Sequence, residues 1–354
     1  MKKILLVFGT RPEAIKMAPL VKALQKDTEH FETRVCVTAQ HRQMLDQVLE
    51  VFGITPEYDL NIMAPNQDLY DITAKVLLGL REVLKDFRPD TVLVHGDTTT
   101  SMAASLAAFY MQIPVGHVEA GLRSFNMTMP EEINRILTDR VSDILFCPTE
   151  TATRNLKNEG FDHFDSRVVL SGDVMLDAAL FYRQYSRPPQ IELKRDFVLA
   201  TLHRAENTDT PEYLSEIIRA LETISREQDV LLPLHPRTRA KLEASGYNTR
   251  LSPIRFIDPV GYLEMIYLLD KCSLVMTDSG GLQKEAFFFR KYCITLRNET
   301  EWTELVAHGY NALAGNSYDR IIQAYREQPH PNFSTPLYGN GHAAKVIVDT
   351  LIEA

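Results

Sequence analysis

Cysteine is scarce in this chain, which has only four cysteines among 354 residues. Cys36, Cys147, Cys272 and Cys293 each lie in or beside an apolar run, and no two of them form a CxxC pair. Such surroundings and spacing are typical of buried thiols rather than of disulfides or metal ligands. The sequence therefore predicts neither a disulfide framework nor a metal site, as expected of a protein from a reducing compartment.

Positive charge and long apolar runs are also lacking. Acidic residues outnumber basic ones by 47 to 38, which gives a formal net charge of -9. A chain this acidic is a poor general binder of nucleic acid, whose phosphates attract clustered lysine and arginine. No run approaches the roughly 18 apolar residues of a membrane helix, and the apolar stretch from Ile4 to Phe8 is too short for a signal peptide. We therefore expect a cytoplasmic protein without nucleic-acid or membrane partners, in which a few local cations bind a small anionic ligand.

Short β-branched runs alternate with longer helical patterns along the chain. Strands are predicted near residues 4–8, 34–38, 91–94, 115–118, 144–147 and 168–171, and again near 197–202, 230–234, 254–257, 274–277 and 294–296. Continuous apolar strands between amphipathic helices predict parallel sheets covered on both faces. A polar, proline-bearing stretch at 184–190 interrupts the pattern. We therefore predict an α/β protein with two doubly wound, Rossmann-like domains, 1–172 and 173–340, and a cleft between them; the last helix, within 341–354, is a candidate to rejoin the first domain.

Charged side chains follow several predicted strands of the first half. Arg11 and Lys16 follow the first strand, beside the positive end of a helix that suits a diphosphate. Asp97 and Glu119 follow two later strands, and Glu131 lies in the first turn of a helix. Because strand exits of a doubly wound domain share one edge, the three carboxylates are expected to converge beside the two cations. Clustered carboxylates shift one another's pKa values apart, which supplies both an acid and a base.

These residues also have simpler explanations when each is taken alone. Arg11 and Lys16 are common at a solvated helix start, Asp97 fits a helix N-cap, and Glu131 complements a helix dipole. The segment GTRPEA lacks the three spaced glycines of a dinucleotide fingerprint. No nicotinamide cofactor is therefore expected.

The second half offers a matching set of polar groups. His203 and His235 follow two predicted strands and lack the third ligand that a metal site needs. In the tripeptide Ser279-Gly280-Gly281, the serine is placed to cap a helix and the glycines let phosphates approach the amides at the helix start. Glu285, nearly two turns further on, is suited to ribose hydroxyls.

Together, these motifs resemble the non-hydrolysing UDP-N-acetylglucosamine 2-epimerases. The matching segments run in order through nearly the whole chain: VFGTRPEAIKMAPL, TAQHRQML, HGDTTT, HVEAGLRS, MPEEINR, HRAEN, DSGGLQKEA and RNETE. The resemblance implies a fold like that of the GT-B glycosyltransferases, with UDP in the cleft and no added cofactor. It also implies reversible conversion of UDP-N-acetylglucosamine to UDP-N-acetylmannosamine, in which UDP is eliminated to give 2-acetamidoglucal and is then added back.

The resemblance also implies roles for individual residues. Those implied for catalysis are Asp97, Glu119, Glu131 and His203. Those implied for binding the UDP-sugar are Arg11, Lys16, Arg123, Ser279, Gly280, Gly281 and Glu285, and His203 is also placed on the diphosphate. A regulatory substrate site of the family is matched by Gln40, Gln67, Glu132 and His235. Departures from the family pattern at Asn66, Ala205 and 124–129 argue against allosteric activation, and a homodimer is expected because family members are dimers.

Other functions remain open on the sequence. HRAENTD, QKEAFF and ETEW resemble a sister branch that acts on UDP-2,3-diacetamido-2,3-dideoxyglucuronic acid, for whose carboxylate Arg123 or Arg135 is a candidate cation. The first half, with GTRPEAIKMAPL and TAQHRQMLDQVL, favours the N-acetylglucosamine branch. A GT-B glycosyltransferase needs only one base, so three carboxylates argue against it. A hydrolysing epimerase and a UDP-sugar-binding regulator without catalysis are the remaining alternatives.

Overall fold

The computed structural model describes residues 1–38, 49, 52–62, 64 and 67–354 of the chain. The chain divides into two compact units, each built on its own sheet. The first unit comprises Met1–Ala178 and Leu337–Ala354, and the second comprises Ala179–Pro336. The C-terminal helix thus belongs to the first unit.

The first unit contains a parallel sheet with the strand order β3-β2-β1-β4-β5-β6-β7. Its strands are β1 (Lys2–Phe8), β2 (Phe31–Val37), β3 (Tyr58–Asp59), β4 (Thr91–His95), β5 (Val115–Val118), β6 (Ile144–Cys147) and β7 (Arg167–Leu170). The helices that follow them are α1 (Arg11–Lys26), α2 (Leu69–Phe87), α3 (Thr99–Tyr110), α4 (Pro130–Arg140), α5 (Glu150–Asn158) and α6 (Val174–Arg183), with a 3-10 turn at Phe161–His163. The strand order reverses direction between β1 and β4, and this switch point is where doubly wound folds bind ligands.

The second unit repeats this plan with the strand order β10-β9-β8-β11-β12-β13. Its strands are β8 (Phe197–Thr201), β9 (Asp229–Pro233), β10 (Arg255–Ile257), β11 (Leu274–Thr277), β12 (Tyr292–Thr295) and β13 (Asn311–Leu313). Its helices are α7 (Ala205–Thr208), α8 (Pro211–Ser225), α9 (Pro236–Ala244), α10 (Tyr262–Lys271), α11 (Gly280–Phe288), α12 (Thr303–Ala307) and α13 (Tyr318–Arg326), and α14 (Ala343–Glu353) then completes the first unit. The switch point of this sheet lies between β8 and β11.

Both faces of the second sheet are covered, which explains its continuous apolar strands. Val198 and Ala200 pack into one buried cluster, whereas Phe197 and Leu199 pack into another. Successive side chains of a strand point to opposite faces, so each face of β8 has its own core. The prediction of parallel sheets covered on both faces is confirmed.

Asp177 fastens the C-terminal helix to the first unit. Its buried carboxylate accepts hydrogen bonds from the backbone amides of Ala343 and Ala344, at 3.0 and 2.8 Å. Those amides belong to the first turn of α14 and have no partner within the helix. Burial raises the pKa of Asp177 above its ordinary value.

The four cysteines are buried, and each carries a free thiol. Burial raises the pKa of each thiol to about 12. Within the described parts of the chain, no helix is both long enough and apolar enough to cross a bilayer.

Candidate functional site

The start of α1 is held at the carboxyl edge of the first sheet by Glu13. Its Oε2 accepts hydrogen bonds from the amides of Gly9 and Thr10, at 3.1 and 2.8 Å, and Thr10 caps the helix. Its Oε1 accepts from the hydroxyls of Thr98 and Ser101, at 2.8 and 3.1 Å. This buried carboxylate therefore joins the start of α1 to the start of α3, across the switch point. The capping-box spacing of Thr10 and Glu13 is a sequence signal that could have revealed it.

Glu119 lies directly after β5 and is brought together with Lys16. The Lys16 ammonium donates to Glu119 Oε2 at 2.7 Å, and the two side chains are 21% and 6% exposed. His95 Nε2 lies 2.8 Å from the same oxygen. Glu119 has a backbone φ of +72°, which costs of order 1–3 kcal/mol for a residue other than glycine. Strain of this kind persists only where surrounding contacts hold the residue in place.

Asp97 lies after β4 and is paired with a cation from α4. The Arg135 guanidinium binds the carboxylate of Asp97 and also donates to Glu132 Oε2 at 2.8 Å. Asn134 holds the backbone carbonyl of Asp97 with a hydrogen bond of 2.9 Å. Asp97 keeps a side chain that is 36% exposed. Its carboxylate is thus positioned by α4 and still reaches solvent.

Glu132, rather than Glu131, is the buried acid of the PEE segment. The amides of Ser124 and Phe125 both donate to Glu132, at 2.9 Å. Burial favours a raised pKa, but these amides and Arg135 outweigh burial and lower the pKa of Glu132. The neighbouring Glu131 is exposed and makes no side-chain hydrogen bond or ion pair with a described residue.

Arg123 lies in a buried ionic network. Its guanidinium donates to both carboxylate oxygens of Glu159, at 2.7 and 2.8 Å, and to Asp139 at 2.7 Å. Asp139 also lies 2.6 Å from Nδ1 of His117, whose Nε2 lies 2.9 Å from the carbonyl oxygen of Gly96. Burial works against ionisation of Asp139, but His117 and Arg123 lower its pKa. The Arg123 side chain is only 1% exposed, so contact with a ligand would require this network to open.

The strand exits of the second unit place His203 against a buried acid. Asp278, after β11, accepts hydrogen bonds from the amides of His203 and Arg204 at 3.0 and 2.9 Å, and its carboxylate lies 3.3 Å from His203 Nδ1. The His203 and His235 ring centres are 5.7 Å apart. Desolvation lowers the pKa of His203, and Asp278 opposes that shift. A half-buried imidazole that faces outwards is suited to an anionic ligand.

The start of α11 follows the predicted pattern. Ser279 is the N-cap of the helix, and its side chain accepts from the amide of Leu282. A Cβ atom on Gly280 would lie 2.2 Å from Glu301 Oε1, so this position admits only glycine without a shift of Glu301. Gly281 is in the first turn, where amides have no partner within the helix. Small residues and free helix-start amides are features that suit an anionic group such as a phosphate.

Further along α11, Glu285 is 6% exposed and lies beside Tyr262. Burial, followed by the nearby Glu285 carboxylate, raises the pKa of Tyr262 well above its ordinary value. Lys284 is fully buried, with its ammonium 4.1 Å from the centre of the Trp302 ring.

The remaining predicted residues lie apart from these clusters or outside the described residues. Arg11 is half-buried at the first position of α1 and makes no side-chain bond with a described residue. Gln67 is bound within its own loop, to the carbonyl of Ile62 and the amide of Ala64. Gln40 lies outside the described residues. Among the residues that the structure does describe, no group of three or more histidine, cysteine or acidic side chains is arranged to hold a metal ion.

Two doubly wound units, with carboxylate–cation pairs at the carboxyl edge of one and a serine-capped, glycine-bearing helix start in the other, define an α/β enzyme with a GT-B-like fold. The family model described as UDP-N-acetylglucosamine 2-epimerase matches residues 22–352. The chain belongs to the UDP-N-acetylglucosamine 2-epimerase family, and the predicted membership is confirmed.

Three known proteins illustrate the similarity. A UDP-2,3-diacetamido-2,3-dideoxy-D-glucuronate 2-epimerase of Pseudomonas aeruginosa is 47% identical over 99% of both chains. The crystal structure of UDP-GlcNAc 2-epimerase from Neisseria meningitidis, bound to UDP-GlcNAc, has a TM-score of 0.89 and 40% identity, and covers 99% of this chain and 100% of that one. A spinosyn rhamnosyltransferase, 12% identical over 100% and 96% of the two chains with a TM-score of 0.54, shares the fold alone. The prediction of a GT-B-like fold is therefore confirmed.

Proposed function

We propose that this enzyme catalyses the reversible C2 epimerisation of UDP-N-acetylglucosamine to UDP-N-acetylmannosamine, without an added cofactor. The observation that carries the proposal is the Lys16–Glu119 pair at the switch point of the first sheet, 2.7 Å apart. It places a carboxylate suited to proton transfer beside a cation suited to a leaving diphosphate. The family membership of the whole chain supports the same reaction.

The proposed reaction begins at the anomeric carbon rather than at C2. The C2 proton of the sugar is not adjacent to a carbonyl group, so its direct removal would be slow. Breaking the anomeric C–O bond first gives oxocarbenium character, which acidifies the C2–H bond. Loss of that proton completes elimination of UDP and leaves 2-acetamidoglucal. Protonation of C2 on the opposite face and return of UDP then give the epimer.

The acid–base roles are proposed for Asp97, Glu119 and Glu131. Asp97 and Glu119 follow the neighbouring strands β4 and β5, and each carboxylate is paired with a cation. Glu131 is exposed, and a role for it requires contact with the substrate itself. The buried Glu132 is bound by amides and by Arg135, which suits a positioning role.

The proposed binding roles follow the two helix starts. Arg11 and Lys16 at α1, together with His203, are proposed to hold the diphosphate. The tripeptide Ser279-Gly280-Gly281 is proposed to bind phosphate through amides, and Glu285 to accept ribose hydroxyls. For Arg123 we propose support of the strand exits instead, because Glu159 and Asp139 already bind its guanidinium.

The sugar is proposed to be neutral for an electrostatic reason. A uronic acid substrate needs an extra cation, and the candidates for it were Arg123 and Arg135. Both already bind two carboxylates of the protein. The 47% identity to the Pseudomonas aeruginosa protein nevertheless makes UDP-2,3-diacetamido-2,3-dideoxyglucuronic acid the second candidate substrate.

Proton NMR of the purified enzyme in deuterated water tests this proposal. UDP-N-acetylglucosamine and the diacetamido-uronic acid nucleotide are supplied separately, without metal or nicotinamide. We expect the anomeric signal of UDP-N-acetylmannosamine to appear, with deuterium at C2. If the enzyme converts only the uronic acid nucleotide, that nucleotide is its substrate and UDP-N-acetylglucosamine is not. Release of free N-acetylmannosamine and UDP, or no change in either substrate, would contradict the proposal.

Variants of the two paired carboxylates extend the test. Asp97→Asn and Glu119→Gln keep the size of each side chain and remove its charge. Both are expected to abolish epimerisation while UDP still binds, as measured by calorimetry. Full activity in either variant would remove that residue from the proposed mechanism.

A further inference from the structure

His95 is a buried histidine in direct contact with Glu119, and the HGDTTT motif had pointed to Asp97 instead. It is the last residue of β4, at the switch point, and its side chain is 2% exposed. Its Nε2 lies 2.8 Å from Glu119 Oε2. Neither ring nitrogen makes an aligned hydrogen bond with a described residue. Buried polar groups normally have hydrogen-bond partners, so the position of the His95 ring requires an explanation.

The backbone around this contact is firmly held. The Gly96 amide donates to the carbonyl of Val118 at 2.9 Å, and His117 Nε2 lies 2.9 Å from the carbonyl of Gly96. Ser101 donates to the carbonyl of His95 at 2.5 Å. The ends of β4 and β5 are thus joined where His95 meets Glu119.

The titratable groups near Glu119 belong to α1, to β5, and to β4 and the segment after it. Lys16 of α1 binds the same carboxylate oxygen as His95, at 2.7 Å. Glu13 of α1 accepts a hydrogen bond from Ser101, and the buried His117 contacts the carbonyl of Gly96. Asp97, two residues after His95, is itself paired with Arg135. Lys16 and His95 both contact the Glu119 carboxylate.

We infer that His95 is a positioning residue that sets the orientation and the protonation state of Glu119. This inference rests on the acid–base role proposed for Glu119. An imidazole N–H beside a carboxylate stabilises the ionised form, which is the form that takes a proton from C2. A proton on Nδ1 would be buried without an acceptor among the described residues, whereas a proton on Nε2 would face the Glu119 carboxylate. The close contact between His95 Nε2 and Glu119 Oε2 also helps to hold the Glu119 side chain, whose backbone has a positive φ.

Two substitutions of His95 separate positioning from mere packing. The amide nitrogen of glutamine reaches about as far as Nε2 of histidine, whereas the amide of asparagine stops near the position of Nδ1. His95→Gln therefore keeps a donor near Glu119 Oε2, and His95→Asn removes it. The two variants introduce the same functional group, which makes each the control for the other.

The kinetic expectations follow from this difference in reach. His95→Asn is expected to lower kcat by roughly 100-fold or more, with little change in KM, and to move the acidic limb of the pH profile upwards. His95→Gln should stay within about 10-fold of the wild type, with its acidic limb near the original pH. Equal losses in both variants with an unmoved pH limb would show a structural role and overturn the inference. Full activity of His95→Asn would overturn it as well.

A second measurement does not depend on turnover. Nitrogen-15 NMR of the imidazoles in the full chain reports which ring nitrogen carries the proton. We expect His95 to carry its proton on Nε2 in the wild type and to change its Nε2 signal in Glu119→Gln. A proton on Nδ1, or a signal indifferent to Glu119, would overturn the inference even if the enzyme is active. An enzyme that is inactive on both nucleotide sugars but shows the expected signals would contradict the proposed function and retain the His95–Glu119 interaction.

Discussion

Asp139→Asn is expected to destabilise the first unit by about 3–5 kcal/mol, because it removes a fully buried carboxylate that pairs with Arg123. Asp139 is completely buried and accepts a hydrogen bond from Arg123 at 2.7 Å and another from the Gly121 amide at 3.2 Å. His117 Nδ1 lies 2.6 Å away on the other oxygen. Asparagine keeps the shape but replaces one acceptor with an N–H group that must face these donors.

The same arginine supplies a matched control. Glu159 binds Arg123 through two hydrogen bonds, but its side chain is 30% exposed. Water compensates for the loss of an exposed partner, so Glu159→Gln is expected to cost no more than about 1 kcal/mol. The two variants each remove one charged partner of the same guanidinium. Asp139 is buried and also contacts His117 and the Gly121 amide, whereas Glu159 is partly exposed.

Urea denaturation followed by far-UV circular dichroism measures the effect. With a urea dependence of about 3 kcal/mol per molar, Asp139→Asn should lower the midpoint by roughly 1–2 M, and Glu159→Gln by less than about 0.4 M. The only tryptophan, Trp302, lies in the second unit, so its fluorescence distinguishes local from general destabilisation. Equal, small shifts in the two variants would refute the idea that Asp139 offsets buried charge.

The acid dependence of stability provides a second check on Asp139. Its pKa is lowered in the folded chain from the ordinary 3.8. The ionised carboxylate therefore contributes stability above that pH, and the contribution is lost as the pH falls through the lowered value. The wild type should lose stability below about pH 4, where the Asp139→Asn variant should lose less. An equal loss in both proteins would contradict the assignment.

Three further predictions concern reactivity, backbone space and regulation. The four thiols should resist a thiol reagent in the native chain and react once urea unfolds it, because burial raises their pKa to about 12; rapid reaction of the native protein would contradict this. Gly121→Ala should lower the melting temperature more than Gly246→Ala, since both have positive φ but only the Gly121 Cβ would meet a backbone oxygen, that of Ala152 at 2.5 Å. UDP-N-acetylmannosamine alone should be converted without a lag; a lag removed by traces of UDP-N-acetylglucosamine would demonstrate allosteric activation.

Apolar runs predicted most of the fold, because a strand buried on both faces must be apolar at successive positions. The strands Val115–Val118, Ile144–Cys147 and Leu274–Thr277 begin and end where the sequence pattern places them. Two strands of the described residues had no prediction, Tyr58–Asp59 and Asn311–Leu313, and both are short and lie at sheet edges. Edge strands need little burial, so they leave little pattern in a sequence.

Only those residues of the candidate site that directly follow a strand could be placed together from the sequence. Lys16 and Glu119 are separated by 103 positions, and they meet because β1, β4 and β5 are neighbours in a parallel sheet. The choice between Glu131 and Glu132 has a different origin. Adjacent helical residues point about 100° apart, and of this pair Glu132 faces inwards. Which one does so depends on the packing of α4, which the sequence pattern does not specify.

The residues that escaped prediction share one property, which is that they act on other residues of the protein. Glu13, Asp139 and Asp278 are buried acids that accept hydrogen bonds from amides, hydroxyls or cations. Glu13 has one local signal, its capping-box spacing from Thr10. Asp139 and Asp278 are required by donors that come together only when the chain folds, so their roles have no signature in local sequence. Side chains that meet a ligand gather at one edge of a sheet and can be inferred from topology. The acids that hold those side chains in place become visible only in the folded structure, and His95 beside Glu119 belongs with them.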